Sequence, residues 1–151
     1  MADDFNAQLN AACERIAQKI SIGVRSRGYR AANELRNASQ LVLRGQRSGR
    51  RYRVPGTKSY YTASAPGEPP AVRTGAFRAG WQAKQEVTSW SGTDVTVRSY
   101  IESNTRTDNG KYTLGAILED GSSRMAPRPY KEKIQEKALP KIKKIYKEPY
   151  L

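Results

Sequence analysis

The first forty-odd residues carry apolar side chains at three- and four-residue steps: Phe5, Leu9, Ala12, Ile16, Ile20, Val24, Ala31, Leu35, Ala38 and Val42. That period predicts one amphipathic helix over 1–44. Asp3 or Asp4 is placed to cap its start and complement its dipole. Unbroken, such a helix is about 60 Å long at 1.5 Å per residue. Gly23 and Gly28 interrupt the stripe, and each weakens a helix by about 1 kcal/mol relative to alanine. A bend or break is expected there. The stripe is read as a core face, with packing on a neighbouring subunit as the sharper alternative.

From Gly45 to Pro70 no period survives, and Pro66-Gly67-Glu68-Pro69-Pro70 suits neither a helix interior nor a central strand. The stretch 45–73 is expected to be an extended, exposed loop or arm, mobile in a free subunit and ordered on assembly. After Thr74-Gly75 the pattern turns to period two, with Trp81, Ala83, Gln85 and Val87 alternating against Gln82, Lys84, Glu86 and Thr88. Ser91-Gly92 signals a turn, and Val95, Val97 and Ile101 continue on a second strand. Tyr112 to Leu118, after Asn109-Gly110, reads equally as a third strand or a short helix. A small antiparallel sheet of three to four strands is expected within 74–126.

Pro127 or Pro129 opens a last helix, 127–147, with Tyr130, Ile134, Ala138, Ile142 and Ile145 at helical spacing. Pro140 is expected to kink or split it. The order of long helix, basic loop, small sheet and helix defines a single α+β domain over 1–151.

Charge changes the picture from fold to partner. The chain has 27 Lys and Arg against 14 Asp and Glu, a net +13. Such an excess raises the expectation of a polyanionic partner and equally suits docking on acidic protein. It concentrates early: Arg15 to Lys58 holds twelve basic residues and one acid, Glu34. Tyr52, Tyr60 and Tyr61 interleave with them, suited to stacking on bases or packing on protein. Arg44, Arg47, Arg50, Arg51, Arg53 and Lys58 are the candidate contacts to DNA or acidic protein; the bland alternative is a solvated basic face.

Catalytic chemistry finds little support. With no histidine, neither a Ser-His nor a Cys-His pair forms. Zinc sites built on His and several Cys are excluded, and the acids are scattered without ligand spacing. No catalytic, cofactor or metal residue is assigned, and a non-enzyme is expected. Cys13 is single, which suits a reducing compartment, and its place beside the stripe suits a small core residue. No membrane-spanning run or signal peptide is recognised, so a cytoplasmic protein is expected.

Two stretches go beyond generic physics: Ser64-Ala65-Pro66-Gly67-Glu68-Pro69-Pro70-Ala71-Val72-Arg73-Thr74-Gly75-Ala76-Phe77-Arg78, and Ile117-Leu118-Glu119-Asp120-Gly121-Ser122-Ser123-Arg124-Met125-Ala126-Pro127-Arg128-Pro129-Tyr130. In this order they resemble the HK97 gp10-like family of tailed-phage neck and tail-completion proteins, over roughly Ser64 to Ala138. Pro66, Gly67, Pro69, Pro70, Thr74, Gly75, Glu119, Gly121, Met125, Pro127, Arg128 and Pro129 carry the match. Tyr130 stands where the family usually has Phe, and Arg73 where an acid is common. The resemblance implies a structural virion subunit, made in the host cytoplasm, that forms a sixfold ring at the head–tail junction. Its partners would be further copies of itself, a portal adaptor or stopper, tail-tube or tail-terminator proteins and, as the alternative for the basic arm, genomic DNA. A tail terminator, a minor tail component and a nucleic-acid-binding protein acting without a ring are the other readings.

Overall fold

The computed structural model describes residues 1–91 and 94–150, except the side chain of Ala2. The chain is α+β, as its patterning predicts. Helix α1 (Ala2–Arg44) is followed by β1 (Arg51–Arg53), β2 (Tyr60–Thr62), the one-turn helix α2 (Ala76–Ala79), β3 (Trp81–Ser91), β4 (Asp94–Ser103), α3 (Leu114–Asp120) and α4 (Lys131–Lys147). In place of one sheet of three to four strands the described residues form two hairpins, β1–β2 and β3–β4, both antiparallel. The segment around Tyr112–Leu118 resolves as helix α3. Gly92 of the expected Ser91-Gly92 turn lies outside the described residues.

Helix α1 runs unbroken for 43 residues, about 65 Å. Its glycines do not break it, and they mark close approaches. A Cβ on Gly28 would lie 2.5 Å from Gln85 Nε2 and 2.7 Å from Ser99 Oγ, so the β3–β4 hairpin lies directly on the helix there. At Gly23 the ring of Tyr150 takes the space, 3.2 Å from such a Cβ. Packing at these two points outweighs a propensity penalty of about 1 kcal/mol each. Asp3 and Asp4 sit inside the first turn, which begins at Ala2, and neither side chain caps it.

Only the C-terminal half of α1 is covered. Ser21, Arg27, Ala31, Ala32, Ala38, Ser39 and Leu43 are buried, whereas Phe5, Leu9 and Ile16 are 66, 51 and 46 % exposed. The first five turns therefore overhang the domain with their apolar stripe uncovered. Cys13 belongs to this overhang and is exposed, which corrects its expected place in the core.

The core forms where α1, β3 and α4 meet: Ala38, Leu43, Trp81, Tyr130, Ile134 and Ala138, flanked by Leu35, Phe77, Ile101 and Ile142. Phe77, Trp81 and Tyr130 pack edge-to-face in a closed triangle, with ring centroids 5.5 to 5.8 Å apart. Helix α4 starts at Lys131, after the prolines, and passes through Pro140 without splitting. Its burial against α1, through Ile134, Ala138 and Ile145, holds it together. Ion pairs join the two helices at their edges: Lys141 to Glu34 at 3.1 Å, and Arg30 to both oxygens of Glu148 at 2.6 and 2.7 Å. Arg27 donates to Pro149 O at 2.6 Å and lies 3.5 Å above the Tyr150 ring, which fixes the segment after α4 along α1. No described helix is long and apolar enough to cross a membrane.

Candidate functional site: a basic hairpin and its tether

Within the segment expected to be an extended, exposed arm lies a β-hairpin on a braced base. Past Arg44 the chain turns on Arg47, whose guanidinium donates to Val42 O at 2.8 Å, to Gln46 O at 2.9 Å and to Pro70 O through two nitrogens at 3.0 and 3.2 Å. Arg47 is thus a brace between the end of α1 and the proline segment, not a free contact. Partial burial lowers its pKa, and the Glu68 charge opposes that shift.

Glu68 is the second brace. Its carboxylate accepts from Ser48 Oγ at 2.6 Å, Ser48 N at 3.1 Å and Ala65 N at 2.9 Å. These bonds, the Ser48 hydroxyl first, lower its pKa from 4.5 to about 2. Because the folded value lies below the unfolded one, this stabilisation is complete above about pH 4.5 and is lost as pH falls towards 2. Comparing urea unfolding of the native chain and Glu68→Gln at pH 5 and pH 3 checks this. The native chain's advantage should be present at pH 5 and shrink at pH 3. An advantage that is the same at both values would exclude the role given to Glu68.

Above the braces the strands come very close. A Cβ on Gly49 would lie 2.5 Å from Ala63 O, so only glycine allows the Gly49 N to Ala63 O bond of 2.9 Å. Strand register places Arg51 opposite Thr62, Tyr52 opposite Tyr61 and Arg53 opposite Tyr60. Arg51, Arg53, Tyr60 and Thr62 consequently share one face, with Tyr52 and Tyr61 on the other. The tip turns through Val54-Pro55-Gly56-Thr57, with Gly56 at φ 74° and Thr57 N bonded to Val54 O.

Arg51 lies 4.8 Å over the Tyr60 ring and Arg50 5.8 Å from Tyr52, while Arg53 Nε donates to Thr57 O. Among the described residues Arg50, Arg51, Arg53 and Lys58 have no acidic partner. Four of the six candidate contacts therefore ride on one ribbon. Arg44 is exposed at its foot and Arg47 is built into its base.

The two stretches that carry the family resemblance meet beneath this hairpin. Gly67 N donates to Pro127 O at 3.3 Å, the Arg128 guanidinium to Ser64 O, and Lys133 Nζ to Gly67 O at 3.3 Å. Arg128 N reaches Leu118 O at 2.8 Å, tying the same residue to α3. Pro69 and Pro70 are buried between them. Thr74 Oγ1 accepts from Ala76 N, and Gly75, at φ 82°, begins α2. Gly121, at φ 79° and ψ −170°, ends α3, and Ser122 and Met125 then close a tight turn through paired backbone bonds.

Glu119 and Asp120 lie in helix α3, not on a strand. Glu119 accepts from Tyr130 N at 3.0 Å and Lys131 N at 3.3 Å, capping α4 from eleven residues upstream. An open cleft of about 500 Å³ remains between the stretches, lined by Leu43, Tyr61, Phe77, Leu118, Met125 and Arg128 among others. Asp108 is the one acid among its lining residues. Among the described residues no group of three or more His, Cys, Asp and Glu is placed to hold a metal ion.

Glu68 and Glu119 are the site residues whose roles the sequence conceals, since their partners lie up to twenty residues away and follow no spacing rule. Comparison with family models, curated proteins and solved structures finds no match to this chain.

Proposed function

We propose that the protein is a structural subunit of the head–tail junction of a tailed bacteriophage. On this reading it assembles into a sixfold ring that helps to join the DNA-filled head to the tail. Its partners are further copies of itself, a portal adaptor or stopper on one side and tail-tube or tail-terminator proteins on the other. It acts in the virion and is built in the host cytoplasm. It works through surfaces, not through catalysis.

One observation carries most of this reading: the two stretches that resemble the neck and tail-completion family interlock through Gly67–Pro127 and Ser64–Arg128. Segments whose bonded residues lie sixty or more positions apart form a single unit and behave as one structural signature. The overhanging half of α1 and the projecting hairpin add support, because among the described residues the apolar stripe of the one is exposed and the cations of the other have no acidic partner. Heterologous contacts between such surfaces close into rings by rotation.

Light scattering of the purified protein across concentration and salt, alone and with isolated phage tails, tests the assignment. The expected species is near 100 kDa, six subunits of 16.9 kDa, in at least one condition. A 16.9 kDa species under every condition would remove the ring. A second reading, a nucleic-acid-binding protein acting alone, draws on the basic hairpin and predicts that monomer together with DNA binding. Tail terminator and minor tail component remain variants of the first reading, distinguished by which isolated particle captures the protein.

A further inference from the structure

We infer that the β1–β2 hairpin is a binding ribbon for the phosphate backbone of duplex DNA, with Arg50, Arg51, Arg53 and Lys58 as its contacts. The inference concerns this hairpin alone and stands apart from the ring, since it rests on charge and geometry within one chain.

Residues 45–67 contain five basic side chains and no acid. Arg47 is consumed by the base, and Glu68, the nearest acid, is saturated by Ser48 and Ala65. The other four cations project on a ribbon whose ladder runs from Gly49–Ala63 to Val54–Ser59. Arg51 and Arg53 stand two residues apart on one face, about 7 Å along the strand. A two-stranded ribbon has the cross-section that the major groove of duplex DNA admits.

Three features favour a duplex backbone over other anions. Unmixed positive charge on one element is the electrostatic footprint of nucleic-acid binding. Val54 is half-buried and the exposed apolar side chains of the hairpin are Pro55, Tyr52 and Tyr60, so its surface carries no cluster of aliphatic groups such as the apolar centre of a protein interface presents. Arg51 already lies over one face of Tyr60 and Arg50 stands 5.8 Å from Tyr52, so a base stacking on those faces would have to displace a guanidinium. Stacking on single strands is disfavoured accordingly. The same contacts, with the Arg53–Thr57 bond, restrict the arginines in advance of binding.

The test is titration of a 30-base-pair random duplex with the full chain from 50 to 200 mM salt. Each neutralised phosphate contributes about −0.9 to the slope of log affinity on log salt. Replacing Arg50, Arg51, Arg53 and Lys58 together by Gln should therefore flatten that slope by about three to four. Changing the three arginines to Lys should restore it, which separates charge from loss of fold. Unchanged far-ultraviolet circular dichroism confirms that the Gln variant is folded.

A slope equal in native and Gln proteins would overturn the inference, as would the absence of measurable duplex binding at 50 mM salt. So would a single strand of the same length binding tenfold tighter, or polyglutamate competing as well as DNA at equal charge. The oligomer mass, read separately, leaves the slope comparison intact: a monomer that shows the slope change rejects the ring and keeps the ribbon.

Discussion

Replacing Tyr130 by alanine is expected to lower the unfolding free energy by about 3–5 kcal/mol, the range for deleting a large buried aromatic. Tyr130 is 1 % exposed and forms one corner of the Phe77–Trp81–Tyr130 triangle. Its hydroxyl also donates to Gly115 O at 3.0 Å, linking the start of α4 to α3. Burial pushes its pKa up to about 12, with the Glu119 and Asp120 charges acting in the same direction, so it stays a neutral donor across the working range.

The alanine variant thus loses two aromatic contacts, leaves a cavity where α1, β3 and α4 meet, and orphans a carbonyl. Tyr130→Phe keeps the ring and loses only the bond, for about 1–2 kcal/mol. Urea unfolding followed by tryptophan fluorescence measures both. An alanine variant within about 1 kcal/mol of the native chain would show that the triangle is not the centre of the core. Against a typical total of about 5–15 kcal/mol, the expected loss is a substantial share of the whole.

Gly121→Ala is the second large effect, about 3 kcal/mol or more. Its φ of 79° and ψ of −170° fall in a region that glycine alone occupies readily, and a side chain there costs about 1–3 kcal/mol. The added Cβ would meet Met125 O and Pro127 N, each at 2.8 Å. Both are backbone atoms, so relief requires the turn itself to move, and overpacking adds about 1–3 kcal/mol.

That displacement shifts Pro127 and Arg128, whose bonds hold Gly67 and Ser64. Loss at Gly121 should therefore appear at the hairpin base, more than fifty residues earlier in the chain. Limited trypsin digestion should cut faster at Arg50, Arg51 and Arg53 in the variant, alongside a lower urea midpoint. Native stability with an unchanged cleavage rate would refute the tether.

The elements most legible in the sequence were those whose signal is local and repeated. The stripe from Phe5 to Val42 specified α1, and alternation from Trp81 specified β3 and its inward face as far as Gln85, beyond which Val87 is exposed. Single residues misled when tertiary contacts decided the outcome. Gly23, Gly28 and Pro140 each favour a bend, kink or break by local rules, and each sits in a helix that packing against a neighbour keeps continuous.

The hairpin at 51–62 was missed for a different reason. Its strands are three residues long, too short to show a period, although Pro55-Gly56 between Arg-Tyr-Arg and Tyr-Tyr-Thr is a type II turn signal. Of the candidate contacts, the order of charges alone could not distinguish Arg47 from its neighbours. Only the folded base shows that three carbonyls already hold it.

The overhang of α1 has a consequence for how order is distributed along the helix. Starting a helix is the unfavourable step, and here the packed half, from Ser21 to Leu43, supplies the nucleus. The free half is then only a matter of propagation, turn by turn, from a rigid root to a fraying tip. Local opening should therefore be nearly free of penalty around Phe5 and approach that of the whole domain by Ala38. The helix is one rod in outline but a graded spring in energy. A surface that covers Phe5, Leu9 and Ile16 would stiffen it from the tip while needing to order few residues anew.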